Sequence, residues 1–397
     1  MKIAISGAGV AGPALGYWLH RTGHEPTLIE QAPQFRTGGY VIDFWGVGYR
    51  VAQRMGIEAA VREAGYQVQS IRAVGSDGQV DVQLGVDAFQ RAVGGRFTSV
   101  PRGDLAAAIY ATIEHDVETI FSDSIVAIDE HSGGVRVDLE HGQSRDFDLV
   151  IGADGLHSNV RRLAFGPRAD FEHYLGAMVA VCVVDGYRPR DELVYVTHNE
   201  PGRQVARFSL RGDRTLVLFV FRSEVPVAAA DYELAEQKAL LRREFAGVGW
   251  ECPQILAALD GVHDRNDLYF DVVSQARLDR WSRGRTALIG DAAACVSLLA
   301  GEGTGLAMTE AYVLAGELLR AQGDHRRAFE AYESRLRPFI EGKQASAEKF
   351  MSFFATRTRP GIWFRNLAMR TMKFSPLGDR LIARGLSDDF ELPDYPM

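Results

Sequence analysis

The stretch Lys2–Glu30, KIAISGAGVAGPALGYWLHRTGHEPTLIE, decides the fold. Lys2 to Ser6 is a short apolar strand candidate, and Gly7, Ala8, Gly9, Val10, Ala11 and Gly12 follow at once. Pro13 falls in the first helical turn, where its missing N–H breaks no hydrogen bond. Leu15 and Leu19 continue one helix face until Gly23 stops it. Pro26–Ile29 is the next strand, and Glu30 ends it, eighteen positions after Gly12. Strand, spaced glycines, helix, strand and acid together form the complete dinucleotide-binding fingerprint. The glycines permit a tight turn, close approach to a pyrophosphate and close helix–strand contact, and Glu30 can accept hydrogen bonds from ribose hydroxyls. The expectation is an α/β chain with a Rossmann-like nucleotide domain; NAD and FAD share the fingerprint.

The bounds set by composition agree. A chain of 397 residues can bury a sizeable core and holds two domains or one with a large insertion. Its 46% hydrophobic and 24% charged content is that of a globular protein. A net charge of -8 argues against a general nucleic-acid surface. Cys182, Cys252 and Cys295 are too widely spaced for a disulfide framework or a cysteine-rich zinc site, which fits a cytoplasmic setting. The chain opens on a strand rather than a signal-like segment, and no run approaches the roughly 18 apolar residues of a membrane span. Neither nucleic acid nor membrane is expected as a partner.

Further along, Arg36-Thr37-Gly38-Gly39 introduces the extended segment Tyr40–Asp43. The glycine pair lets backbone pass close to a second part of a long ligand, and Arg36 either pairs with a phosphate or stands solvated. Val47–Ala64 reads as a helix and Val68–Val93 as short strands. A helix begins near Arg102, with Asp104 as its expected cap and Arg102 placed to meet a ligand. Val117–Phe121, Ser124–Asp129 and Val135–Glu140 are strand candidates. Phe147–Ile151 then runs into Asp154-Gly155 and a helix carrying Arg161; an acid there caps the turn or binds a polar ligand.

The middle of the chain, from Gly176 to Arg222, holds four strand patterns: Met178–Val184, Leu193–Thr197, Val205–Leu210 and Thr215–Phe221. A helix over Asp231–Phe245 and a strand over Leu268–Ser274 follow. Gly284–Met308, GRTALIGDAAACVSLLAGEGTGLAM, is a second strand–glycine–helix unit. Its strand Thr286–Ile289 ends at Gly290-Asp291, and Gly301, Gly303 and Gly305 surround Thr304 at a new helix start suited to negative charge. The pattern after Gly323 is helical to the end. Pro338 is expected to bend or break His325–Phe354, and Ile362–Met372 reads as an aromatic-rich helix.

With these motifs in order, the chain resembles the flavoprotein aromatic hydroxylases, the para-hydroxybenzoate hydroxylase-like monooxygenases, over nearly its whole length. The resemblance implies that Gly7–Gly12 and Glu30 hold the ADP part of FAD. It implies that Asp154–Arg161 is the DG motif serving FAD and NAD(P)H, and that Asp291 of the GD motif contacts the ribityl region. Arg102 matches a flavin-contacting arginine. Gly38–Asp43, with Gly39, looks like the flavin-proximal strand of the tetracycline-inactivating branch, and the amides of Gly301–Gly305 would lie near the isoalloxazine.

The same resemblance implies a discontinuous FAD-binding domain (1–75, 98–168 and 275–323) and an antiparallel-sheet substrate domain (76–97 and 169–274). A C-terminal helical segment, 324–397, would bridge them. It implies that NADPH or NADH reduces FAD, that O2 adds at flavin C4a, and that the hydroperoxide oxygenates an aromatic or polyketide-like small molecule. No protein nucleophile or metal is then required, and a monomer or homodimer is compatible. Four positions depart from the family pattern: Ala294, Leu298, Glu302 and Gly305. A glutamate at 302 opposes anionic reduced flavin unless it points away or is paired. Two other readings stay open, a non-redox cyclase in which FAD only shapes the pocket and a flavin-dependent dehydrogenase or ligand-binding protein.

Overall fold

The computed structural model describes residues 1–35, 40–227, 232–264, 267–372 and 390–397. Apolar strands build two main sheets. The first has six strands, ordered Ser282–Arg283, Thr286–Leu288, Leu149–Gly152, Lys2–Ser6, Glu25–Glu30 and Glu118–Phe121. Every pairing is parallel except the hairpin at the Ser282–Arg283 edge. Beyond Lys2, the central strands are buried along their length, as strands covered on both faces must be. Lys2–Ser6 sits between Glu25–Glu30 and Leu149–Gly152, so the winding direction reverses there. Ser6 lies beside Gly152, and Gly152 beside Leu288. Three parallel strands thus end side by side and deliver three glycine-bearing loops to one carboxyl edge, the usual ligand crevice of such sheets.

The second sheet has seven strands, ordered Leu268–Ala276, Glu172–Asp185, Arg214–Arg222, Arg203–Ser209, Val194–Glu200, Ser70–Val74 and Val80–Gly85. It is antiparallel apart from the parallel pair Val194–Glu200 and Ser70–Val74. Ser70–Val74 falls within the stretch 1–75, yet it pairs in this sheet. Alternate residues of the long strand enter separate cores. Met178, Ala180 and Cys182 pack with Phe219 and Phe245 under the helices Leu234–Glu244 and Cys252–Ala258. Val179 and Val181 pack with Phe208, Val220 and Met351 on the other face. Burial on both faces explains why the alternation of Val205–Leu210 is only partial.

Several local expectations change. The Arg102 helix (Arg102–Tyr110) is preceded by Pro101, so Asp104 lies inside its first turn and makes no cap hydrogen bond. Val47–Ala64 is two helices, Gly46–Arg54 and Glu58–Ala64, separated near Gly56, whose φ of +75° a helix does not allow. Pro338 does not break the helix His325–Phe354. Leu336 and Ile340, on either side of it, are both buried in the core, and that packing outweighs one missing hydrogen bond. Residues 390–397 are not helical: Tyr395 returns to donate to Glu317 at 2.6 Å, with its ring against Gly316.

The helix His325–Phe354 spans both cores. Phe329, Tyr332, Leu336 and Ile340 pack with the six-stranded sheet, and Met351 with the seven-stranded one. The helix Arg359–Met372 lies along the edge strand Val80–Gly85, where Arg370 donates to the Asp81 carbonyl at 2.7 Å. Among the described residues, no helix is long and apolar enough to cross a membrane.

Candidate active site

The first loop at the carboxyl edge is shaped by sterics. Gly7 has φ +101°, and a Cβ there would stand 2.7 Å from the Ala153 carbonyl oxygen. A Cβ on Gly12 would stand 2.0 Å from the Gly7 oxygen. Val10 and Ala11, both buried, lead into the helix Ala11–Arg21. At Gly9 the loop is open, with Arg102 Nη2 3.7 Å from where a Cβ would be. The guanidinium of Arg102 therefore reaches over the glycine loop. Glu30 ties the loop down: Oε2 accepts from Ala8 N at 2.8 Å, and Oε1 from Ala32 N at 2.8 Å. Each oxygen keeps capacity for a further donor.

The second loop is held by its own acid. Asp154 Oδ2 accepts from Asn159 N at 2.8 Å, Val160 N at 3.0 Å and Ser6 Oγ at 3.3 Å, and Ser158 donates to Oδ1. Of the two readings open for this acid, the carboxylate serves as a cap, fixing the helix Asn159–Ala164 and the first strand together, while Gly155 turns the chain at φ +79°. Burial pushes the Asp154 carboxyl up, against hydrogen bonds from Ser158 and Val160. Arg161 is 2% exposed and donates to the carbonyls of Ala292, at 2.9 Å, and Leu156. That arginine clamps the second loop to the third. His157 Nε2 lies 2.7 Å from Asp271 Oδ2, and Tyr269 donates to the same oxygen at 3.2 Å, which links this loop to the seven-stranded sheet.

The third loop depends on a distant acid. Gly290, at φ +62°, donates its N–H to Glu310 Oε2 at 2.6 Å, and Tyr332 donates to the same oxygen at 3.0 Å. Glu310 is 1% exposed, and burial pushes its carboxyl up to about 8 despite both donors. Asp291 Oδ1 lies 3.4 Å from where a Cβ on Gly303 would be. Gly301, at φ +70°, turns the chain into the helix Gly303–Arg320. The N–H groups of Gly303, Thr304 and Gly305 open that helix and have no acceptor within it.

A cleft beside these amides is lined by Asp43, Phe44, Trp45, Val47, Gly48, Gly301, Glu302, Gly305 and Leu306. The helix Gly46–Arg54 approaches so closely that a Cβ on Gly48 would stand 2.2 Å from Gly305 Cα. Asp43, on the strand Val41–Trp45, accepts from Ser99 of the paired strand Phe97–Pro101. It also hydrogen-bonds the Tyr195 phenol of the seven-stranded sheet, and burial pushes its carboxyl up. Glu302 is paired with Lys343 Nζ, at 2.9 Å and 3.0 Å. Arg36 and Gly39 lie outside the described residues.

A glycine cradle that any Cβ would fill, an acid with spare acceptor capacity and free helix-start amides at the far end fit an extended flavin dinucleotide. A family model described as an FAD binding domain matches residues 1–345. The chain belongs to that family. The Mycobacterium tuberculosis (strain ATCC 25618 / H37Rv) protein Rv1260 is 38% identical over 350 residues, covering 86% of this chain and 91% of its own. A flavin-dependent monooxygenase of Legionella longbeachae serogroup 1 (strain NSW150) is 36% identical over 355 residues, covering 87% of each. The crystal structure of tetracycline destructase Tet(51) is similar with a TM-score of 0.83 and 31% identity over 99% of both chains. The protein is a flavoprotein monooxygenase, and its cofactor is FAD.

Sequence reading missed Glu310, Tyr332, Lys343, Tyr195 and Asp271. Glu310 left a signal: it stands between Leu306, Ala307, Ala311 and Leu314 on an otherwise apolar helix face, where an acid must have buried partners. The others come from remote elements and left none. Arg207, Phe219, Phe221 and Cys295 make structural contacts. Arg207 pairs with Asp191 at 2.8 Å and Glu251 at 2.7 Å, and Phe219 and Phe221 pack on Phe245. Cys295 is buried, its thiol pushed well above the ordinary range by that burial, so it remains a packing thiol.

Proposed function

We propose that this flavoprotein uses NADPH or NADH and O2 to hydroxylate or otherwise oxygenate an aromatic or polycyclic, polyketide-like small molecule. The observation that carries this reading is the cleft at Gly301–Gly305. Unpaired amides of an 18-residue helix meet there with Asp43, whose partners come from the two-stranded ribbon and the seven-stranded sheet. Likeness to the tetracycline destructases Tet(51) and Tet(55), at 31% and 33% identity, supports a polycyclic substrate and a role in antibiotic modification.

In this reading Gly7, Gly9, Val10, Ala11, Gly12 and Glu30 would hold the ADP half, and Arg102, which reaches over the glycine loop, would contact the flavin cofactor. Asp154 and Gly155 keep the second loop in shape, Gly290 and Asp291 serve the ribityl chain, and Gly301, Gly303, Thr304 and Gly305 face the reactive ring. FAD when bound supplies the hard chemistry, two-electron reduction by NAD(P)H and transfer of one atom of O2. The chain's own work is to bind and orient, to present helix-start amides where negative charge develops, and to keep water out with Phe44, Trp45 and Leu306. Apart from the strand Ser70–Val74, which pairs in the seven-stranded sheet, the segments 1–75, 98–168 and 275–323 would form the FAD-binding domain, 76–97 and 169–274 the substrate domain, and 324–397 the bridge.

The test is NAD(P)H oxidation and oxygen uptake by the purified protein against a panel of phenols and polyketides. Substrate-stimulated consumption of both, with one oxygen added to the product mass, is the expected result. Product formed anaerobically without reductant would overturn the redox reading in favour of a cyclase.

A further inference from the structure

The helix Arg359–Met372 turns its largest apolar side chains outward. Its inner side is satisfied by the sheet edge: Met369 packs with Ala73 and Val82, Asn366 donates to the Asp81 carboxylate at 3.3 Å, and Arg370 to the Asp81 carbonyl. On the outer side Leu367 lies four residues after Trp363 and three after Phe364, so the three share one face. They are 60%, 63% and 41% exposed in the order Trp363, Phe364 and Leu367. The two aromatic rings meet edge to face with centroids 5.0 Å apart, which makes the surface continuous rather than scattered. Arg359 and Arg370 stand at the two ends of this face, about three turns apart and on the Trp363 side. Both are exposed, and neither forms an ion pair among the described residues. The sequence around them is one-sided: from Lys349 to Gly378 it has six Lys or Arg and no Asp or Glu, in a chain of net charge -8.

We propose that this face docks the protein on the surface of an anionic lipid bilayer. Trp363, Phe364 and Leu367 enter the boundary between headgroups and acyl chains, and Arg359 and Arg370 meet lipid phosphates. The charge pattern selects this occupant. Apolar side chains flanked by cations, on a helix without an acid, complement a layer that is hydrocarbon inside and negative at its surface. A second copy related by a two-fold axis would instead set the same arginines against one another. The helix lies on the bilayer and does not cross it, since its 14 residues rise only about 21 Å against a hydrocarbon core of about 30 Å. A surface-lying helix therefore escapes a search for spanning segments, which looks for length and uninterrupted apolar sequence.

The experiment sediments the full-length protein with vesicles of phosphatidylcholine alone and of phosphatidylcholine mixed with phosphatidylglycerol. Partitioning onto the mixed vesicles should exceed that onto the neutral ones at least about tenfold and should weaken with added salt. Replacing both aromatics, Trp363→Ser with Phe364→Ser, should reduce it at least about tenfold, and Arg359→Gln alone about fivefold. These side chains are exposed, so the variants should keep the parent's melting temperature and flavin content. Equal partitioning onto both vesicle types, no binding to either, or binding that the aromatic replacements leave unchanged overturns the proposal. So does a parent dimer in sedimentation equilibrium that the aromatic replacements dissociate, because a second copy would then cover the face. If the aromatic variant does not fold, Arg359→Gln decides alone: a fivefold loss supports the proposal and an unchanged partition overturns it.

Discussion

The first and third glycine loops of the six-stranded sheet perform similar tasks by different means. In Gly7–Gly12 the glycines are required by neighbouring backbone, since a Cβ at Gly7 or Gly12 would lie inside the contact distance of a carbonyl oxygen. In Gly290–Gly305 the steric demand is weaker. Gly290 and Gly301 need glycine for their φ of +62° and +70°, but a Cβ at Gly303 or Gly305 would make only ordinary contacts, at 3.4 Å and 3.5 Å. Partners far along the chain hold this third loop: Glu310, Tyr332, Lys343 and the clamp from Arg161. A loop built by local sterics tolerates little substitution but needs no help. A loop held by remote side chains tolerates a methyl at Gly303 or Gly305, where φ is not left-handed, and fails when its supports change.

Gly12→Ala should break the first loop outright. Its methyl would overlap the Gly7 oxygen, and backbone has no rotamer to escape by, so a loss of about 3 kcal/mol or more is expected. Denaturant titration and the flavin-to-protein absorbance ratio measure it, and a stable yellow variant would contradict the steric account. Glu30→Ala comes next. It strips Ala8 N and Ala32 N of their acceptor, which costs about 1–3 kcal/mol, and FAD affinity should fall at least about tenfold by fluorescence titration.

Glu310→Gln probes the support of the third loop through pH. The folded carboxyl, raised from 4.5 to about 8, holds a proton that the unfolded chain releases. Its stabilisation is therefore complete below about pH 4.5 and is lost as pH rises towards 8, at no more than about 1.4 kcal/mol per pH unit. Glutamine removes this dependence while keeping an acceptor for Gly290. The parent should lose stability relative to Glu310→Gln between pH 5 and 8, and parallel stability–pH curves would reject a buried neutral acid. Gly303→Ala should change stability least, within about 0.5 kcal/mol. Its effect should appear in FAD affinity, because the added methyl occupies space beside Asp291; an equal loss of stability would mean this loop is as sterically constrained as the first.

Much of this was legible in the chain. Strand, glycines and acid in Lys2–Glu30 are local, and each obeys a rule that acts over a few residues: a forbidden Cβ, a strand period, a cap. The same holds for the strands that carry Asp154-Gly155 and Gly290-Asp291. The sequence by itself thus determined a dinucleotide-binding fold with three motifs in order. Tertiary packing decided what local propensity left open at Pro338, where core contacts on either side keep the helix unbroken, and overrode it at 390–397, which dock on the helix Gly303–Arg320. Glu302 shows the boundary most clearly. Its charge was visible and its consequence was not, because pairing depends on a lysine 41 residues away that only the packing of a long helix on two sheets brings within 2.9 Å. Local sterics are written in neighbouring residues, whereas the sign of a field at a site is the sum of charges that only the folded chain assembles.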